Sequence, residues 1–522
     1  MIAAEPVPPT PDTYDVVPYD DRVFYRTHPD VLAAVATLHG LDPVPVERCR
    51  VLELGCAVGG NLIPMALGLP DASFVGIDLS ESQIATGREV VRALGLPNVE
   101  LVAKSITDID ASFGQFDYVL CHGVYSWVPP AVQDAILAVC AERLTPNGLA
   151  YISYNTYPGW HLRGMVRELM QHHARRFEDP AERVREARRF LELVMTVQQR
   201  RNPHGPYGAV LQDEAKQLRD APDDYVFHEH LEDYNAPVYF EQFMARAGAH
   251  GLAYVDDARP RDPMDGIAEE LHDAVDALAS SGLAREQYLD LLTNRTFRRS
   301  LLCHKHRAPD PTRLAARLER LDLTARVRPV SEAPDLSPGV VERFQAFDTK
   351  ATISTDDAAL KAMLVRLASL WPRGLSFTTM ATELAGDDRA RREGLAEALL
   401  RCYLAGLVEL HTHVPVCATV AGSRPIASPL ARLQAARQPR VTNLLHRAVV
   451  LGDADRLLLQ QVDGTRDRSA LVDVLTAAVM EGRFRLENEG RTLNDPGAVR
   501  ALFVDWVELA LARFAGAGLL IG

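Results

Sequence analysis

The stretch VLELGCAVGG, residues 51–60, constrains this chain more than any other. An apolar run of strand character enters a glycine-rich turn and leaves as a helix, NLIPMALGL. Gly55 permits a sharp turn where a side chain would clash, and Gly59 and Gly60 let a ligand approach the helix start. Ala57 takes the middle position, giving G-x-A-x-G. From Arg50 onward strand-like and helix-like segments alternate. RVLEL (50–54), SFVGID (73–78), VELVA (99–103), FDYVLC (116–121) and LAYISYN (149–155) read as strands, with helices such as Glu81–Leu94 and Pro130–Leu144 between them. This rhythm predicts an α/β unit with a parallel sheet and crossover helices.

The rest of the chain divides by composition. Residues 1–45 read as a loose Pro-rich start followed by a helix from Pro29 to His39, and 46–205 as the α/β unit with a charged helical extension. Residues 206–310 read as a mixed middle domain, 311–344 as a linker rich in Arg, Pro and Asp, and 345–522 as a mostly helical region. The stretches 345–415 and 441–522 read as two small units within that region. The net charge of −14 argues against a broad basic surface, so no nucleic-acid partner is expected. Seven cysteines lie scattered without C-x-x-C spacing, which speaks against a zinc site and suits a reducing cytoplasm. His304, Lys305 and His306 have no metal-ligand spacing, and no metal is expected. The first residues lack the basic start and apolar core of a signal peptide, and no run approaches the roughly 20 apolar residues of a membrane helix.

Two carboxylates decide the ligand. Asp78 ends the second strand, where an acid can accept from both hydroxyls of a ribose; its other reading is a helix cap, although Ser80 with Gln83 is the better cap. Glu53 stands two residues before Gly55 and would repel a pyrophosphate. It suits a ligand with a cationic amino group, such as the methionine part of S-adenosylmethionine (SAM); a structural acid bonded to backbone is the alternative.

With these residues the 50–155 stretch resembles the class I SAM-dependent methyltransferases, whose fold is Rossmann-like. The resemblance implies SAM as cofactor and S-adenosylhomocysteine as product. It puts Glu53, Gly55, Cys56, Gly59, Asp78 and Leu79 around the donor, and Ser105 and Ile106 at the adenine edge. Ser105 is a departure, since the family often has Asp there. YDVVPYDDRVFYRTHPDVLA (14–33), CHGVYSWVPP (121–130) and YNTYPGWHLRGM (154–165) resemble a bacterial subgroup with a methyltransferase regulatory domain. So do HEHLEDYNAPVYFEQFM (228–244) and YLDLLTNRTFRRSLLCH (288–304). That subgroup includes lysine methyltransferases acting on outer-membrane proteins, with winged-helix-like C-terminal parts. The stretch LLLQQVDGTRDRSALVDVL (457–475) also resembles winged-helix peptide-recognition modules. The resemblance implies a protein or peptide substrate, a lysine acceptor and a homodimer. A small-molecule methyltransferase and a SAM-binding scaffold without activity are the competing readings.

Methyl transfer from a sulfonium needs alignment and a neutral nucleophile, not a catalytic triad. Aromatic faces favour cations by ~0.5–2 kcal/mol. Tyr125 and Trp127 are expected either to wall a lysine channel or to pack the next helix. His122 is expected beside the sulfonium or adenine, as acceptor of the amine's proton, or as an ordinary polar residue. Asn155 could offer a carbonyl oxygen to the amine. Tyr19, Phe24, Thr27 and His28 read as a lid over the cofactor or as simple packing.

Overall fold

The computed structural model describes residues 16–17, 22–258, 269–307, 309–347, 351–484, 486–488, 491–492 and 495–522. The five expected strands all form: β1 (Arg50–Leu54), β2 (Ser73–Asp78), β3 (Val99–Ala103), β4 (Phe116–Cys121) and β5 (Leu144–Asn155). β5 starts at Leu144, not at Leu149, because Leu144 already pairs with Phe116 before an irregularity in register. Two further strands, β6 (Leu252–Asp257) and β7 (Phe297–His304), complete a seven-stranded sheet of order β3-β2-β1-β4-β5-β7-β6. β1 to β5 run parallel, and β7 lies antiparallel between β5 and β6. Side chains alternate across the sheet. Val51 joins a cluster with Leu32, Ala66 and Leu101, whereas Leu52 and Leu54 join Ile136, Phe240 and Phe243. Glu53 therefore projects to the Val51 side.

The middle stretch is continuous with this sheet, since β6 and β7 both come from 206–310. Arg298 on β7 is fully buried and fastens it. Its guanidinium donates to both carboxylate oxygens of Asp290, each at 2.8 Å, and to Glu286 at 2.9 Å, and it lies over the Phe240 ring. The basic run TFRRS thus supplies an interior cation, and Asp290 on the helix Gly282–Thr293 is its partner.

The helix that follows the expected lid residues Phe24, Thr27 and His28 lies inside the protein. Every residue of the helix Pro29–Leu38 is buried. Its sequence, PDVLAAVATL, is apolar nearly all round, the pattern of a helix covered on all sides. Leu32, Ala33, Val35 and Ala36 pack on the sheet, while Ala34 and Leu38 enter a second core with Leu323 and Leu364.

That second core also corrects the expected linker at 311–344. β8 (Asp322–Thr324) is the middle strand of a sheet with β12 (Leu375–Ser376) and β13 (Glu409–His411). β9 (Val327–Pro329), β10 (Glu342–Ala346) and β11 (Thr352–Thr355) form another. Leu321, Leu323, Ala325 and Val327 are all buried, alternating with polar residues at the strand period. Arg and Asp between them lowered the average and hid the alternation.

The remainder is helical, with a third core that includes Val441, Leu458, Leu475 and Phe503. It carries an antiparallel hairpin, β14 (Arg440–Thr442) and β15 (Ala448–Val450). Among the described residues no helix is long and apolar enough to cross a membrane.

Replacing Arg298 with Met leaves Asp290 buried without its main partner. The Arg298→Met variant is expected to lose about 3–5 kcal/mol of unfolding free energy. Urea denaturation followed by circular dichroism measures the loss, and an unchanged midpoint would contradict this account.

Candidate functional site

The carboxyl ends of β1, β2 and β4 bring most of the expected residues together. Gly55 (φ +73°) and Gly59 (φ +76°) both adopt the left-handed backbone of the turn. A Cβ on Gly55 would lie 2.5 Å from Val124 Cγ2, so glycine is required there twice over. Ala57 also has a positive φ, +50°, which a side chain tolerates poorly. Asp78 steadies it: Oδ2 accepts from the Ala57 N–H at 2.8 Å, and Oδ1 accepts from the Ser80 N–H at 3.0 Å. Asp78 thus braces the glycine loop, while Ser80 caps the following helix through Gln83 N. Gly55 N and Cys56 N both donate to Ile77 O, which locks the loop to the tip of β2. The Cys56 thiol is buried, and burial pushes its pKa well up.

Glu53 is buried behind this loop. Asn61 donates from Nδ2 to Glu53 Oε1 at 2.7 Å and to Thr27 Oγ1 at 2.9 Å. Asn61 Oδ1 accepts from the Phe24 N–H at 2.9 Å. The hydroxyl of Thr27, fully buried, donates to Phe24 O at 2.8 Å. Glu53 Oε2 is buried with no hydrogen-bond partner among the described residues. Burial pushes the Glu53 carboxyl up to about 7, against the lowering effect of the Asn61 bond. A buried acid with one unsatisfied oxygen fits a cationic ligand group.

On the neighbouring edge, Leu79 is exposed, and Ile106 packs partly against the sheet's second cluster. The Ser105 hydroxyl accepts from Thr107 N and caps a short turn. It also lies 2.8 Å from the Thr107 hydroxyl.

At the end of β4, the His122 ring packs tilted against Phe24, ring centroids 3.9 Å apart, and its Nδ1 lies 2.8 Å from the Tyr151 hydroxyl. His122, Phe24 and Tyr151 wall a cavity of about 570 Å³. The N-terminal segment contributes Arg26 to it, β7 contributes Arg299, and the C-terminal half contributes Glu409 and Arg447. Burial, then Arg299 and Arg26, lower the His122 pKa to about 3. This direction favours the neutral imidazole and argues against the expected role of His122 as acceptor of the amine's proton.

Two other expectations are corrected. Tyr125 has no exposed surface and lies edge-on to Tyr154 and Phe243 in the core, so it does not wall a channel. Asn155 is buried, with its side-chain amide donating to Asn235 and its backbone N–H to Ser126. Its carbonyl oxygen is not presented at the cavity wall. Trp127 is half-buried, edge-on to Trp160. Tyr19 lies outside the described residues. Among the described residues no cluster of His, Cys, Asp or Glu is arranged to hold a metal ion.

The sequence reading missed Asn61 and Phe24's ring contact. A polar residue opening the apolar run NLIPMALGL was the available signal for Asn61. It also missed His446, whose Nε2 lies 2.8 Å from Asn61 Oδ1 across 385 residues of chain. No sequence pattern links those two positions.

An acid with a raised folded pKa keeps a proton that the unfolded chain has lost. Folding stability therefore falls as pH rises from about 4.5 toward 7. Without ligand, the protein is expected to lose roughly 3 kcal/mol of stability over that range through Glu53, at ~1.4 kcal/mol per pKa unit. Glu53→Gln should remove this component, so denaturation midpoints of the two proteins converge at pH 5 and diverge at pH 8. Parallel pH profiles would refute the assignment.

Comparison with known proteins follows the same layout. Residues 51–148 match a methyltransferase domain, 222–304 a predicted methyltransferase regulatory domain, and 423–519 the C-terminal winged helix domain of PKMT. An uncharacterized protein of Rickettsia prowazekii is 35% identical over 521 residues, covering 95% of this chain and 92% of its own. The structure of PKMT2 from Rickettsia typhi in complex with AdoHcy superposes with a TM-score of 0.85 at 30% identity, covering 97% of this chain and all of that one. A second structure of the same protein gives 0.86 at 29% identity with the same coverage.

Proposed function

Because the chain belongs to the family of class I SAM-dependent methyltransferases with regulatory and winged-helix domains, we propose that it methylates the ε-amine of lysine in a protein substrate. The carrying observation is the likeness to PKMT2 along nearly the whole chain, including the C-terminal half that a compact small-molecule enzyme has no need of. SAM supplies a methyl group on a cationic sulfonium, which passes to a nucleophile held in line. Glu53 would hold the donor's ammonium, the 55–60 turn its methionine part and Asp78 its ribose edge.

The cavity beside His122 is the proposed path for the acceptor lysine. Neutral His122 and the rings of Phe24 and Tyr151 offer polarisable walls without competing for a proton. The charged groups lining it, among the described residues, are Arg26, Arg299, Arg326, Arg447 and Glu409. Four cations against one anion disfavour an entering ammonium relative to a neutral amine. Methyl transfer needs the neutral form, so the cavity's field supports deprotonation with no dedicated base. We also infer a homodimer and a cytoplasmic location; light scattering of the pure protein reads the first.

Incubation with methyl-labelled SAM and fractionated lysate is expected to place label in protein, and mass spectrometry to place it on lysine. Label in small molecules alone would sink this reading. Removing one cation should raise the bound amine's pKa, so Arg299→Gln is expected to move the acidic limb of kcat to higher pH. An unmoved limb would refute the electrostatic role.

A further inference from the structure

The hairpin β14–β15 ends in a stiff turn aimed at the catalytic domain. Asn443 Oδ1 accepts from Leu445 N at 3.1 Å and from Arg447 N at 2.7 Å, and Asn443 Nδ2 donates to Ala517 O at 2.8 Å. At its tip His446 takes a left-handed backbone, φ +56°, uncommon for a residue other than glycine. Its side chain is buried in the catalytic domain, with Nε2 at 2.8 Å from Asn61 Oδ1.

The proton positions follow from one certain donor. Phe24 N–H points at Asn61 Oδ1, so that atom is the amide oxygen and can only accept. His446 Nε2 must then carry the hydrogen. Asn61 Nδ2 in turn donates to Glu53 Oε1. The chain of bonds runs from His446 through the Asn61 amide to the Glu53 carboxyl, with each amide end fixed. Two buried atoms remain without partners among the described residues, Glu53 Oε2 at one end and His446 Nδ1 at the other.

We propose that His446 is a positioning residue for the methyl donor: through Asn61 it orients Glu53 toward the donor's ammonium, which makes the C-terminal winged-helix module a working part of the cofactor site. This rests on the reading of Glu53 as the ammonium's partner. The module's hairpin tip is thereby committed to its own catalytic domain and is not a free surface for an outside partner.

The test uses the full-length chain and calorimetric titration with S-adenosylhomocysteine, which carries the same amino-acid end as the donor. His446→Ala is expected to weaken binding about tenfold, the effect of one lost buried hydrogen bond. With SAM, KM should rise by a similar factor while kcat at saturation stays within about threefold. His446→Gln, which restores a side-chain N–H, should recover most of the affinity. Glu53→Gln should also weaken binding, and in the His446→Ala, Glu53→Gln double variant the second change should add little. Arg513→Ala, at an exposed ion pair with Asp455 on the same module, serves as a control expected to bind normally.

Normal binding by His446→Ala while Glu53→Gln binds weakly would overturn the role of His446 alone. Normal binding by Glu53→Gln would instead overturn the reading of Glu53. Strictly additive losses would also refute the coupling. If His446→Ala fails to fold, His446→Gln against the shorter His446→Asn carries the test. Equal affinities of those two refute the proposal, and a gap in favour of Gln supports it.

Discussion

One side-chain amide joins three distant parts of this chain. Asn61 accepts from the N-terminal segment at Phe24 and from the C-terminal hairpin at His446, and donates to Glu53 in the first strand. Asn61, Glu53 and His446 are buried, where an unmet hydrogen bond costs about 1–3 kcal/mol. The glycine turn and the walls of the neighbouring cavity are built around that point. Glu53 is the group most exposed to its state. It is held by one amide, buried, and left with one oxygen that has no hydrogen-bond partner among the described residues.

The parallel sheet was legible because buried strands and surface helices have different periods. VLELG and FDYVLC are apolar runs broken by one acid each, and the glycines and prolines between segments mark their ends. The sheet's antiparallel edge was not legible. β6 and β7 lie far along the chain, and TFRRSLLCH reads as charged until Arg298 is seen paired inside the protein. The stretch 311–344 failed for a related reason. Average composition spoke for a linker, while every second residue from Leu321 to Val327 was building a core.

Within the site, backbone requirements could be read and side-chain destinations could not. Gly55 and Gly59 share one turn and Asp78, at the tip of β2, bonds to it, as glycine spacing and a strand-end acid suggest. Tyr125 was misplaced because a ring after β4 has two directions open to it, cavity or core. Only the stacked neighbours Tyr154 and Phe243, from elsewhere in the chain, decide between them. His122 faces the cavity for the complementary reason: Phe24 and Tyr151 leave it a polar partner and a ring face there.

The catalytic and C-terminal halves are joined by more than contact between apolar faces. Asp30, at the start of the buried N-terminal helix, accepts from Thr412 N at 2.6 Å, His413 N at 2.8 Å and the Thr412 hydroxyl at 3.0 Å, and lies 2.7 Å from His411 Nδ1. Burial works to raise the Asp30 carboxyl and to lower His411, yet their mutual attraction and these bonds outweigh it. Asp30 is held below its ordinary range and His411 above it. Drawing the halves apart would strand that carboxylate, uncover Ala34 and Leu38, and withdraw His446 from Asn61 in one movement. The contact between Asn61 and a hairpin 385 residues away depends on such a joint. The tip of a separate domain can set the position of a buried carboxylate only if the domain itself does not move.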